Sequence, residues 1–450
     1  MRRIVVVGGG LAGITAALDC ASAGAAVTLL ESRGRLGGAA YSFTRDGIVA
    51  DNGQHVFLRC CAAYRELLDR IGASHLVTLQ PRLSIPVLAP GGEIAWLRRS
   101  ALPAPLHLAG ALARYRYLGL RQRASLALAM NALRGVDPDD PSADARSFGE
   151  WLSEHGQSPE AVRLMWELIA RPTLNLVAGD ASLAQAAYVF QRGLLCDRTA
   201  GDVGFAQVPL GEIHDFTVRR ALARAGVEVR LRLAATAIVS REDGFHVEAG
   251  GVPPLAADAV ILAVSHDRAA RLLPTGSGVD VARLAALGSS PIVNVHVVYN
   301  RRVLDLRFAA AVRTPVQWVF DRTNGSGLER GQYLAISLSA AEEELAMTVD
   351  DLRELFLPAL ADLLPAAGGA EVESFFVTRE HAATFRATPG SRALRPGPST
   401  AIAGLVLAGS WTDTGWPATM EGAVRSGHAA AREALTTILR NREVRAAVAA

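Results

Sequence analysis

The run IVVVGGGLAGITAAL, Ile4 to Leu18, leaves few choices for how the chain begins to fold. Four consecutive apolar β-branched residues read as a short parallel strand buried on both faces. Gly8, Gly10 and Gly13 then form GxGxxG, an Ala-rich helix follows to about Gly24, and Ala26 to Leu30 makes a second strand that ends at Glu31. The three glycines serve in turn the tight turn, the close approach of backbone to a pyrophosphate, and the packing of helix on strand. The free amides and dipole of the helix amino terminus favour the phosphates. Glu31 stands where an acid binds both ribose hydroxyls and repels a 2′-phosphate. A secretory leader would also begin basic and apolar, but three successive glycines and Asp19 argue against one.

The next residues, ESRGRLGG, separate FAD from NAD. Arg35, Gly37 and Gly38 can bring a second stretch of backbone and a guanidinium beside a diphosphate and a flavin. Only one GxGxxG is present, so a dedicated NAD(P)H domain is not expected. At 450 residues the chain has length for two or three domains, and its formal charge of +2 gives no reason to expect a nucleic-acid partner. All 46 basic residues are arginine. Schiff-base chemistry, a P-loop lysine and a lysine holding water beside a flavin are therefore excluded. Cys20, Cys60, Cys61 and Cys196 have no zinc-type spacing, so they read as buried or half-buried thiols in a reducing, cytoplasmic setting. No apolar run is long enough for a membrane span.

These motifs resemble the FAD-dependent superfamily of amine oxidases, phytoene desaturases and protoporphyrinogen oxidases. The resemblance implies that the chain leaves the FAD domain, builds a substrate domain, and returns to finish the flavin site with GSWTDTGWPATMEG, Gly409 to Gly422. Gly404 to Ala408 reads as the returning strand and Gly422 to Ala431 as the helix after it. Amides near Met420 and Ala423 would face the flavin's pyrimidine oxygens. Members of the superfamily commonly carry an acid after the glycine matching Gly409; here it is Ser410, which implies weaker FAD retention.

AGVEVRL from Ala225 and ADAVILAV from Ala257 read as strands returning to the first sheet, with FHVEAG as a hairpin arm between them. The expected fold is α/β: a Rossmann-type FAD-binding domain (1–80, 205–270 and 395–440) interleaved with a discontinuous α+β substrate domain (81–204 and 271–394). From Ile94 to Val136 there is no acid, while seven arginines alternate with Leu, Ala, Trp and Tyr. Such a stretch suits either peripheral contact with the headgroups of an anionic bilayer, such as the inner face of the cell membrane, or a helix pair with solvated arginines.

DNGQHVFLRCCAAYRELLDRIG from Asp51, RPTLNLVAGDASLAQAA from Arg171, VQWVFDR from Val316 and ATFRATPGSRALRP from Ala383 resemble the hydroxysqualene dehydroxylase family, as does the Gly409 segment. That resemblance spans nearly the whole chain and implies a hydrophobic isoprenoid substrate whose allylic hydroxyl is replaced by hydride from reduced flavin. The reaction needs an acid for the leaving oxygen and a site that excludes water. His55 is the first candidate, with a hydrogen-bonding role for His55 and Gln54 as the alternative. Asp413 and Thr414 are expected at the pocket with Trp411 and Trp416 as walls, and Asp51 is expected to cap the turn at Asn52 and Gly53. A carotenoid-type desaturase or isomerase, or a flavin-carrying subunit without turnover, are the competing readings.

Overall fold

A computed structural model describes residues 2–242 and 244–449, with side chains described through Arg440. The first sheet is built from strands that the apolar runs specify. Arg3–Val7 pairs in parallel with Ala26–Glu31 on one side and Ala259–Leu262 on the other. Glu228–Leu231 and Leu405–Leu407 complete it, giving the order 228–231, 26–31, 3–7, 259–262, 405–407, with every pair parallel. Ile4, Val6, Leu29, Ile261 and Leu262 are essentially inaccessible to solvent, as strands covered on both faces must be. Burying each such side chain contributes about 1.5–3 kcal/mol.

The helix Leu11–Ser22 crosses the long carboxy-terminal helix Met420–Ala449 on one face of this sheet. A Cβ at Gly427 would overlap the Ala12 carbonyl, so the crossing requires a residue without a side chain. His428 places Nδ1 2.6 Å from Asp19 Oδ2 and ties the two helices together. The carboxy-terminal helix begins at Met420 rather than Gly422, because Thr419 Oγ1 accepts the Gly422 amide at 3.1 Å and caps it. FHVEAG lies in the middle strand, Gly244–Ala249, of a small antiparallel sheet.

The second large sheet has seven strands in the order 372–384, 290–299, 332–339, 318–321, 308–311, 84–89, 93–98. Its neighbours are antiparallel except for Phe308–Ala311 against Ser84–Ala89, so two distant excursions of the chain meet at that parallel seam. Helices Leu120–Leu133, Phe148–Glu154 and Leu183–Phe190 belong to the first excursion. A three-stranded antiparallel sheet of Val56–Leu58, Val203–Ala206 and Val77–Leu79 stands where the chain passes between the two large sheets. No helix among the described residues is long and apolar enough to cross a membrane. The four cysteines are free; Cys20 and Cys61 are buried, Cys60 is half-buried and Cys196 is exposed.

Candidate functional site

The glycine turn after Val7 is held by backbone contacts and by one side chain, Glu31. Gly8 has φ +115°, donates its amide to Leu30 O at 2.8 Å, and has no room for a side chain against the Ala263 carbonyl. Gly10 caps the first helix with no side-chain acceptor. The amides of Leu11 and Ala12 have no partner among the described residues. The second glycine segment lies against the first: Gly37 donates to Gly9 O at 2.9 Å, and a Cβ on Gly38 would press on Gly10 Cα. Gly13 closes the turn, because any side chain there would meet the Gly8 carbonyl.

Glu31 Oε2 accepts the Gly9 amide at 2.8 Å, and Oε1 accepts the Arg33 amide at 2.7 Å. The acid thus fixes the loop while keeping acceptor capacity for hydroxyls. Arg35 stacks on Tyr41, its guanidinium carbon 3.4 Å from the ring centroid, and donates to Gly38 O at 3.0 Å. Burial lowers its pKa, opposed first by the neighbouring Tyr41, and a guanidinium keeps its charge at any physiological pH.

The returning segment is clamped by a residue that sequence reasoning missed. Arg395, 7% exposed, donates Nη2 to Thr412 O at 2.6 Å and to Ser410 O at 3.2 Å, and Nε to Trp411 O at 3.3 Å. Burial pushes its pKa down to about 10, with Asp413 opposing. Gly409, at φ +144°, donates to Ser426 Oγ at 2.9 Å. The Ser410 hydroxyl has no partner among the described residues.

The Ala423 amide, expected from the sequence to face the flavin, is instead committed to Thr419 O at 2.9 Å. The unengaged amides at this helix start are those of Met420 and Glu421. The buried Glu421 carboxylate accepts the Tyr64 amide at 2.8 Å and the Ala63 amide at 3.2 Å, capping the helix Ala62–Ile71.

His55 and Asp413, both expected at the reaction pocket, are not brought together. Asp413 is exposed, accepts the Gly415 amide at 3.1 Å, stands 4.0 Å from Arg392, and borders a surface groove with Glu66, Arg425 and His428. Thr414 lines the same groove. Trp411 is a core residue whose Nε1 donates to Val264 O at 2.8 Å, whereas half-buried Trp416 meets Tyr188 edge to face.

His55 borders a different cavity, beside Gln54, Asp51 and Arg322, with Phe205, Phe308 and Phe320 among its walls. The rings of Phe205 and Phe308 lie 5.7 Å apart, and those of Phe308 and Phe320 6.1 Å. Asp51 does not cap the Asn52–Gly53 turn: its carboxylate pairs with Arg322 at 2.6 Å and accepts Ser42 Oγ at 2.6 Å and the Leu210 amide at 2.9 Å. Asn294 holds the turn instead, donating Nδ2 to Asn52 O at 2.9 Å.

His55 Nδ1 lies 3.2 Å from Gly53 O, which makes Nδ1 the donor because a carbonyl only accepts. Burial lowers the His55 pKa; Gly53 O, Asp51 and Glu380 act against that shift, and Arg322 adds to it. Gln54 Nε2 and Asn294 Oδ1 are buried with no partner among the described residues. Two residues without an assigned role from sequence are structural. Asn175, at φ +53°, bonds the Ser290 carbonyl and the Ala340 amide, and Gln317 bridges both backbone groups of Ser339.

This set of groups fits FAD. The uncapped helix start behind Gly10, the side-chain-free contact of Gly10 with Gly38, the Glu31 carboxylate, and the free amides of Met420 and Glu421 suit a pyrophosphate, a ribose and an electron-poor ring in turn. The orphaned Gln54 donor is what a polar ligand edge would satisfy.

Known proteins agree with this arrangement. The chain is 28% identical to hydroxysqualene dehydroxylase from Rhodopseudomonas palustris over 96% of its own length and 97% of that protein's. It is 26% identical to 15-cis-phytoene desaturase from Glycine max, over 94% of this chain and 78% of the relative. Putrescine oxidase bound to putrescine superimposes with a TM-score of 0.70 at 20% identity, covering 97% of this chain and 99% of the other, a likeness of fold. Residues 11–435 match the family described as flavin containing amine oxidoreductase. With the glycine turn, the second glycine segment and the returning carboxy-terminal segment assembled around one sheet, the protein is an FAD-dependent oxidoreductase and belongs to the flavin-containing amine oxidoreductase family.

Proposed function

We propose that the protein reductively removes the allylic hydroxyl of hydroxysqualene to give squalene. The observation that carries this reading is the near full-length likeness to a hydroxysqualene dehydroxylase. The small cavity beside Gln54, His55, Asp51 and Arg322, with Phe205, Phe308 and Phe320 among its walls, adds polar groups next to aromatic ones where an allylic hydroxyl would react.

In this reading the glycine turn, Glu31, Arg35, Gly37, Gly38, Gln54, Gly409, Ser410 and the Met420 amide hold FAD, with Ala423 reduced to supporting the helix start. When bound and reduced, FAD supplies a hydride. The phenylalanine walls exclude water from the allylic carbon as the C–O bond breaks. His55, in its doubly protonated form, gives a proton to the departing oxygen, so hydroxysqualene, one hydride and one proton become squalene and water. Asp51 and Arg322 position the His55 segment, and Asp413 has no part in proton transfer. The sheet memberships favour 1–80, 205–270 and 395–440 as the FAD-binding unit and 81–204 with 271–394 as the substrate unit.

The likeness to a phytoene desaturase favours one other reading, oxidation of a polyene by the oxidised cofactor. Anaerobic mixing separates the two. Reduced enzyme is expected to return to the oxidised flavin spectrum with hydroxysqualene and to release squalene. Oxidised enzyme consumed by phytoene, with the reduced form inert towards hydroxysqualene, would overturn the dehydroxylation.

A further inference from the structure

Most helices at a protein surface turn a polar face outward. Leu120–Leu133 instead sets exposed leucines and alanines among its outward Arg121 and Asn131. Its inner face buries Leu126, Ala129, Met130 and Leu133, while Leu120 is 81% exposed and Leu128 73% exposed, with Ala124 and Ala127 exposed between them. The spacing 120, 124, 127, 128 places all four on one outward stripe. The short helix Ala109–Ala113 packs against this one and against Leu106–Leu108, and both Leu106 (57%) and the nearby Leu102 (52%) are exposed. Four of the exposed large apolar side chains of the described residues thus fall within 27 positions of the chain.

The charge of the same stretch is of one sign. Arg98, Arg114, Arg116, Arg121 and Arg134 are exposed, and none is ion-paired to a carboxylate among the described residues. Arg99 is the exception to the stretch, drawn inward to Asp202 at 2.6 Å. Arg123 turns back to the backbone carbonyl of Leu118. The acid that reaches the first turn of the helix, Glu160 through Gln122, is itself 3.6 Å from Arg313.

We infer that the outer face of Leu120–Leu133, with Leu102 and Leu106, docks on an anionic lipid surface. Leucines enter the acyl boundary and the uncompensated arginines meet lipid phosphates. A second copy of the chain is a poorer occupant, because a two-fold contact would set those arginines against their own equivalents with no acid to receive them.

The test uses the full chain loaded with FAD and no substrate, so its outcome is independent of the reaction proposed above. Co-sedimentation with phosphatidylcholine vesicles containing phosphatidylglycerol is expected, with little binding to pure phosphatidylcholine and release at high salt. Leu120→Ser with Leu128→Ser, and separately Arg114→Gln with Arg121→Gln, are each expected to weaken binding roughly tenfold or more while leaving the flavin spectrum and Tm unchanged. Three results would overturn the assignment: no binding to the anionic vesicles, binding indifferent to both pairs of substitutions, or concentration-dependent dimers of the wild type that the leucine pair abolishes.

Discussion

His55 carries the sharpest prediction at the scale of single residues. Its pKa lies below the ordinary 6.5, mainly through burial, so the proton-donating form is scarce at neutral pH and grows as pH falls. Turnover by pre-reduced enzyme should therefore rise as pH is lowered through about 6.5 and level off below the shifted pKa. His55→Ala should be slower by roughly 10²-fold or more and lose that dependence. An unchanged rate would remove the histidine from proton transfer. Ser410 offers a gain instead of a loss: Ser410→Glu should let the protein keep FAD through dialysis that strips the parent, read by absorbance of the retained flavin. Arg395→Met leaves three carbonyls without their donor and should cost about 2–3 kcal/mol, with flavin loss accompanying the fall in Tm. Gly8, Gly10, Gly13 and Glu31 were readable because their spacing alone encodes a turn and its acceptor. Arg395 and the Asp51–Arg322 pair were not, since each joins groups whose meeting depends on how distant strands are ordered.

Secondary-structure elements were legible wherever a local signal specified them. Apolar runs locate Arg3–Val7 and Leu405–Leu407 to within a residue, whereas the strand Ala259–Leu262 is two residues shorter at each end than the run from Ala257 to Val264. The last helix starts two residues before Gly422, because Gly422 looks like a boundary whereas the capping hydroxyl belongs to Thr419. Nothing local announced that Gly427 sits at a helix crossing, since its requirement comes from the Ala12 carbonyl of the opposite helix. Gly427→Val must push Met420–Ala449 away from Leu11–Ser22. It should destabilise by about 2–4 kcal/mol, and by more than Gly427→Ala, measured by denaturant unfolding followed in the far ultraviolet.

For the whole molecule, the α/β class and its parallel first sheet followed from the alternation of strands and helices, but the seven-strand order of the second sheet did not. Sequence patterns give strands their faces and say little about partners separated by 200 residues. Two histidines deep in the fold, His214 and His296, contribute to how stability responds to acid. His214 is pushed down to about 3, chiefly by burial and further by His55, while the Ala40 carbonyl opposes. His296, stacked on Phe376, is likewise pushed to about 3 by burial and then by Arg45. Both folded values lie below the unfolded 6.5, so their contribution is complete above about pH 6.5 and is lost progressively as pH falls towards 3. Tm should already drop between about pH 7.5 and about pH 5, before most carboxylates titrate. His296→Gln, which removes one titrating ring, should shrink that drop; an identical slope would exclude His296 as a source.

The strand Leu405–Leu407 forms one edge of the parallel sheet, next to Ala259–Leu262, and the loop after it carries Gly409 and Ser410. A ribosome must therefore make both excursions into the second sheet before the coenzyme's cradle has all its sides. A message cut short ahead of Leu405 should yield protein that stays pale when FAD is supplied.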